Sequence, residues 1–326
     1  MKRFIINTLG FLGILLLLLG MSLLLPPTPH QSKSLLFASV KKDSLLANVP
    51  QPRIIFIGGS NLTFGLNSQT IKDSLNINPI NTAIHANLGL RFVFESSYRY
   101  IRKGDIIVVV PEYSHFYQDY NKGSEELLRT VLDVDKSNIK FLNFKQMINC
   151  AQYIRNFVFS RFKKYEYTTT TVTDSDVYGV NSFNQYGDAC VHWNMDRQKF
   201  YPSDTLRLKS YNPKVMEGLK EFEEKIRQKG AILYVSYPCF QDSSFYKSKA
   251  AIKKVEEEYA KYGFLILGTP NRYMMNDSLM FNTYYHLNKK GVDYRTQLLV
   301  EDLKKALPPV KRSESDSLKT SNQQLP

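Results

Sequence analysis

Arg53-Ile54-Ile55-Phe56-Ile57-Gly58-Gly59-Ser60-Asn61-Leu62-Thr63-Phe64-Gly65 is the stretch that sets the architecture. After Arg53 it opens with a continuous apolar run of the kind buried on both faces in a parallel strand. A glycine turn follows at once, so a strand passes directly into a helix. Working outward, residues 67–75 suit a short helix, 80–84 a strand and 88–101 a helix. Residues 105–110 (DIIVVV) form a second strongly buried strand, closed by Pro111. Residues 231–236, ended by Tyr237-Pro238, and 264–267 are two further strands, with helices predicted over 214–228, 246–262 and 288–307. This alternation predicts an α/β fold, a doubly wound, mostly parallel sheet with helices on both faces. Residues 113–204 break the rhythm. They carry little strand signal and a threonine-rich stretch at 167–171, and read as a helical insertion on the same domain rather than a separate unit.

The 326 residues leave room for up to two domains before the ends are subtracted. With 43% hydrophobic and 22% charged residues, a wholly disordered chain and a multi-span membrane protein are excluded. After Met1-Lys2-Arg3 comes an uncharged apolar run, 4–25, long enough to cross about 30 Å of hydrocarbon as a helix. Residues 1–27 therefore read as an uncleaved anchor; cleavage after Ser22 or further on is the alternative. Lys2 and Arg3 place the N-terminus in the cytoplasm and the rest outside. Residues 28–52 read as a polar stalk, 53–307 as the folded domain and 308–326 as a disordered tail.

Lys and Arg together number 43 against 30 Asp and Glu, a net charge of +13 that suits an anionic partner. Export removes nucleic acid from consideration. Between Lys140 and Lys164 six basic residues and no acidic one alternate with aromatic and aliphatic side chains at helical spacing. Such a basic amphipathic helix could rest on anionic head groups, face an acidic glycan, or pack by its apolar face with its charges in water. Cys150, Cys190 and Cys239 are an odd number without metal-ligand spacing, so neither a disulfide framework nor a metal site is expected.

In open α/β sheets ligands bind at the carboxyl ends of the strands, and two turns there carry chemistry. Ser60 sits on the first, where Gly58 and Gly59 would leave room for a substrate carbonyl and a backbone N–H could serve an oxyanion hole. The same turn could also cradle a phosphate, although the spacing of the known phosphate loops is lacking, or be only a tight strand-to-helix turn. The second turn, Phe281-Asn282-Thr283-Tyr284-Tyr285-His286-Leu287-Asn288, puts His286 before the last helix with Asn288 as its N-cap. A serine needs a base within hydrogen-bond reach, and His286 is the best placed candidate.

Gly58-Gly59-Ser60-Asn61 after an apolar strand, Gly89 after the second, and the C-terminal His286-Leu287-Asn288-x-x-Gly291 resemble conserved blocks of the SGNH/GDSL hydrolase superfamily. More narrowly, the anchor, the I-F-I-G-G-S-N block, Phe183-Asn184-x-Tyr186-Gly187-Asp188 and Tyr285-His286-Leu287-Asn288 are similar to single-span bacterial SGNH-like proteins. Relatives of that layout include exported acyltransferases of alginate and other cell-surface polymers. The resemblance implies a flavodoxin-like three-layer fold, Ser60 as nucleophile, His286 as base, and the Ser60 and Gly89 N–H groups as oxyanion donors. It requires no cofactor or metal.

Three departures bear on activity. Gly59 stands where the family usually has Asp. The block that supplies an oxyanion Asn would fall at Pro111-Glu112-Tyr113-Ser114-His115, where none is available. The triad acid position is Thr283, or Asn282 by comparison with the nearer relatives; Asn can orient a histidine without stabilising imidazolium as a carboxylate does. Glu112 or Asp188 could substitute, and His192, four after Asp188, would share a helical face with it. Two functions are open. One is an anchored, extracytoplasmic esterase or O-acyltransferase of the bacterial inner membrane. It would act on acyl, chiefly acetyl, esters of a cell-envelope polysaccharide, with a multi-span membrane acyltransferase as possible partner. The other is an inactive SGNH-like glycan-binding or export-complex component.

Overall fold

In the computed structural model, which describes residues 1–168, 177–203, 206 and 209–307, the alternation folds into one five-stranded parallel sheet. Its strands are β1 (Arg53–Gly58), β2 (Asn78–Asn81), β3 (Ile106–Val110), β4 (Ile232–Ser236) and β5 (Leu265–Leu267). They lie in the order β2-β1-β3-β4-β5, the doubly wound order of flavodoxin-like sheets. β1 and β3 run in register from Ile54–Ile106 to Gly58–Val110. The side chains of Ile54 to Ile57 and Ile107 to Val110 are fully buried. Each such side chain taken out of water contributes about 1.5–3 kcal/mol, which is why the two central strands show no polar alternation.

The helices used below are α1 (Lys2–Leu24), α2 (Ala38–Asn48), α3 (Ser60–Thr63), α4 (Ser68–Leu75), α5 (Leu90–Tyr98), α6 (Phe144–Ala151), α7 (Ile154–Ser160), α8 (Pro213–Gln228), α9 (Lys249–Lys261) and α10 (Lys289–Ala306). α4 and α10 pack together on one face of the sheet. α5 and α8 pack on the other, where Phe94 and Phe222 stack with ring centroids 4.4 Å apart. Asn288 caps α10 by accepting a hydrogen bond from Gly291 N. At the amino edge Arg53 Nε and Nη2 donate to the two Asp105 carboxylate oxygens at 2.7 and 2.8 Å, with both residues wholly buried. This bidentate pair ties the start of β1 to the start of β3, and removing one partner costs about 3–5 kcal/mol.

Four expectations change. Residues 28–52 are folded onto the body instead of forming a stalk, because α2 buries Ala38, Lys42 and Leu46 at i, i+4 spacing. Lys42 Nζ donates to the carbonyls of Gly187, at 2.8 Å, and Ala83. Burial lowers its pKa to about 7, against the opposing pull of the Asp188 carboxylate. The charge of Lys42 interrupts the apolar stripe and hid it in the sequence. The basic helix over 140–164 is broken into a 3-10 turn (Lys136–Phe141), α6 and α7. Arg161 is buried within it in an ion pair with Asp133. The helix expected over 246–262 divides at Ser248. β2 leaves the sheet at Asn81, whose side-chain amide donates to Leu62 O and Asp188 at 2.9 Å each.

The insertion has its own apolar cluster, in which Leu127, Val131 and Phe157 meet Leu35, Phe64, Leu88 and Phe281. Residues 169–171 of the threonine-rich stretch and the tail 308–326 lie outside the described residues. α1 is exposed along almost its whole length, and at about 1.5 Å per residue its 23 residues are long enough to cross a membrane.

Candidate active site

β1 delivers Ser60 to the carboxyl edge of the sheet as the first residue of α3, a single helical turn. The two glycines before it are needed for close packing rather than for substrate access. A Cβ on Gly58 would lie 2.5 Å from the Val110 carbonyl oxygen, and one on Gly59 would lie 2.8 Å from Glu112 Oε1 and 3.1 Å from the Ala86 Cβ. The space beside Gly59 is filled by the Glu112 side chain, which arrives from the end of β3.

Glu112 is buried and accepts from Ser60 Oγ at 2.9 Å and from Asn61 N at 3.1 Å, both on Oε1. Burial raises its carboxyl pKa above the usual range, while the two bonds from Ser60 and Asn61 oppose that rise. Its own backbone N–H donates to His115 Nδ1 at 2.9 Å, and His115 Nε2 lies 3.1 Å from the Ala86 carbonyl. An Nδ1 that accepts leaves the proton on Nε2, so His115 is a neutral spacer between β3 and the 85–89 loop. Burial lowers its pKa to about 4.

His286 comes to the other end of α3. It belongs to a small hairpin, β6 (Met280–Thr283) and β7 (His286–Leu287). Leu287 N donates to Phe64 O at 3.2 Å, and the buried Cys239 thiol donates to Tyr285 O at 3.0 Å. The His286 ring lies on the Phe64 ring, centroids 4.4 Å apart. The His286 hairpin thus packs against Phe64, the residue that follows the α3 turn opened by Ser60. Asn282 Nδ2 donates to the Tyr178 hydroxyl at 2.8 Å, which leaves Asn282 Oδ1, 2.9 Å from His286 Nδ1, to accept. His286 therefore carries its proton on Nδ1, and Nε2 is left bare with no hydrogen-bond partner among the described residues. Burial, then the neighbouring His192 and His85, lower its pKa to about 3.

Other candidates fall into place around this pair. Asn61 donates from Nδ2 to Val110 O at 3.2 Å and braces α3 against β3. The Ser60 N–H has no acceptor among the described residues, whereas the Gly89 N–H is donated to Ala86 O at 3.1 Å. Asp188 is buried away from His286: it accepts from Ser68 N and Ser68 Oγ at 2.8 Å, from Asn81 at 2.9 Å and from Asn184 at 3.2 Å. It fastens the insertion to α4 and β2. His192 shares no helical face with Asp188, since residues 191–194 form a 3-10 turn. Its ring is buried among Phe64, Phe281 and Trp193, with the Leu287 backbone as its polar neighbour. Burial lowers its pKa to about 4.

His85 and Tyr178 went unnoticed in the sequence. His85 follows β2 at the same carboxyl edge, and inspecting every strand end would have found it. Its Nδ1 accepts from Asn87 N at 3.1 Å. Tyr178, which supports Asn282, carries no local signal, because only the folded insertion brings it across from 104 residues away.

No protein-family model matches the sequence, and no characterised protein sequence matches it. Among solved structures, the crystal structure of protein YxiM from Bacillus subtilis matches at 12% identity with a TM-score of 0.36. The match covers 78% of this chain and 56% of that one, so the chain spans little more than half the length of that structure.

Proposed function

We propose that this chain is an SGNH-type esterase or O-acyltransferase, held by α1 at the outer face of the bacterial inner membrane. The substrate class we assign is acyl, chiefly acetyl, esters of a cell-envelope polysaccharide, with a multi-span membrane acyltransferase as a candidate acyl donor. The observation that carries the reading is a serine hydroxyl at the start of a single helical turn and a neutral imidazole with a bare Nε2 packed on Phe64, the residue after that turn.

The chemistry follows from the proton inventory. Ser60 has one hydroxyl proton, and in the resting arrangement it is given to Glu112. When the hydroxyl turns to His286, Nε2 takes that proton as Oγ bonds to the ester carbonyl carbon, and the Ser60 N–H faces the oxyanion. The C–O bond to the leaving alcohol breaks, and His286 returns the proton to that oxygen. Water or a sugar hydroxyl then attacks the acyl-Ser60 ester by the reverse path, giving hydrolysis or transfer. Asn282 holds the imidazole in the productive tautomer without a carboxylate's charge.

A second reading, a non-catalytic glycan-binding or export component, draws on the Ser60–Glu112 bond and the engaged Gly89 N–H. A lost oxyanion donor alone can cost about 10²–10³ in rate. A fluorophosphonate probe decides between the two. Covalent labelling of the folded chain that disappears in Ser60→Ala, at unchanged circular dichroism, is the expected result. Folded wild-type protein that takes no label overturns the enzyme reading.

A further inference from the structure

α6, α7 and the turn after them are apolar, exposed and basic at once, and α7 is the part next to α1. Phe144 is 78% exposed, Phe159 60% and Phe162 59%, and Met147 and Ile148 are exposed with them. Arg155, Lys163 and Lys164 stand exposed among these, and no ion pair holds any of the three among the described residues. A soluble surface of this kind is uncommon, because clustered large apolar side chains on one patch favour association.

The position of α7 along α1 says what covers the patch. α7 packs against α1, and the two leave a groove of about 750 Å³ lined by Leu15, Leu18, Leu19, Ile154, Val158 and Phe159, with Arg155 beside them. At about 1.5 Å rise per residue, Leu19 lies about 7 Å and Leu15 about 13 Å below the Leu24 end of α1. If α1 crosses a bilayer of about 30 Å, that depth is the acyl region of the leaflet next to the folded domain. The junction is tied by Lys136 Nζ donating to Leu23 O at 3.0 Å, Arg161 to Pro26 O at 2.6 Å and Thr28 Oγ1 to Glu166 at 2.7 Å. α7 is thereby clamped to the emerging end of α1.

We propose that α6, α7 and the following turn to Tyr167 are a membrane-seating element. It dips into the outer leaflet beside α1, with a phospholipid acyl chain in the α1–α7 groove and Arg155, Lys163 and Lys164 reaching up to anionic head groups. Exposed Tyr165 and Tyr167 suit the head-group level, where amphipathic rings collect. The domain would then be held against the membrane in a fixed attitude rather than swinging on a tether. The proposal rests on the reading of α1 as a membrane span, and the test separates the two.

The full-length chain is reconstituted in vesicles of phosphatidylglycerol and phosphatidylcholine on a Trp193→Phe background. A single tryptophan is then placed by Phe11→Trp in α1, or by Phe159→Trp or Phe162→Trp in the insertion. Lipids brominated on their acyl chains are expected to remove most of the emission from all three, with a blue shift and protection from aqueous acrylamide. Lys163→Glu with Lys164→Glu is expected to reduce quenching at Phe159→Trp while leaving Phe11→Trp unchanged. If Phe11→Trp is quenched while Phe159→Trp and Phe162→Trp respond only to acrylamide, the seating proposal is overturned and the span stands. If the insertion tryptophans are shielded from both quenchers, a second protein copy or a glycan covers the patch, and the proposal again fails. If Phe11→Trp is not quenched, the span reading fails and takes the proposal with it.

Discussion

Ser60 opens α3 and His286 packs on Phe64 just after it, yet their surroundings are built from opposite materials. The serine side is polar and hydrogen-bonded throughout: the buried Glu112 carboxyl accepts from the hydroxyl and from the next backbone N–H, and its own backbone is braced through His115 to the 85–89 loop. The histidine side is aromatic and neutral, with Phe64, Tyr178 and His192 near the ring and the Asn282 amide on Nδ1. The carboxyl group of this site thus lies beside Ser60 and not beside His286. The difference teaches that His286 is held neutral, with Nε2 unprotonated, and that its proton affinity is low because imidazolium is stabilised weakly.

The largest effect should come from exchanging the two halves as base. His286→Ala is expected to lower kcat/KM by about 10²–10⁴, the usual worth of general base catalysis, whereas Glu112→Gln keeps an acceptor for Ser60 and should lose less than about tenfold. Steady-state hydrolysis of an activated acetyl ester measures both. The reverse ranking would make Glu112 the base, and the Ser60–Glu112 bond would become the reacting pair.

A smaller effect sharpens the contrast by charging the histidine side. With a pKa of about 3, His286 is neutral and competent at all higher pH, so the acid limb of kcat/KM should fall only as the pH drops through about 3. Asn282→Asp puts a carboxylate against Nδ1 and stabilises imidazolium, which should move that limb up by about 1–3 pH units. A pH–rate profile of the two proteins checks the direction, and a limb that stays in place removes His286 from the rate-determining protonation.

The smallest effect concerns stability. His192 is buried among aromatic rings, and its polar contact is with the Leu287 backbone, so His192→Phe exchanges that contact for relief of imidazole desolvation and should change stability by less than about 1 kcal/mol. A urea midpoint that falls by more than this would show that His192 holds the Leu287 backbone in the native state.

How much of this could be read in advance depended on the range of the interactions. The β1 and β3 runs were plain because strands buried on both faces must be continuously apolar, and Ser60 and His286 followed because ligands gather at strand ends. The bonds within their own turn, such as Asn282 to His286 across four residues, lie inside what spacing can express. Glu112 was legible as a strand-end carboxylate and no more, since its bond to Ser60 joins positions 52 residues apart. Lys42 was misread because a buried lysine looks like a solvated one until the carbonyls of Ala83 and Gly187 are in place.

By itself the sequence determined the sheet, its winding, the apolar N-terminal helix and the two turns that bear the candidate chemistry. These depend on hydrophobic period, glycine punctuation and capping, which act over a few neighbouring residues. Tertiary structure alone decided that Ser60 Oγ donates a hydrogen bond to Glu112, that Asp188 serves the fold and not His286, and that α7 lies along α1. Such pairings are set by which groups packing removes from water together, and no local pattern records that.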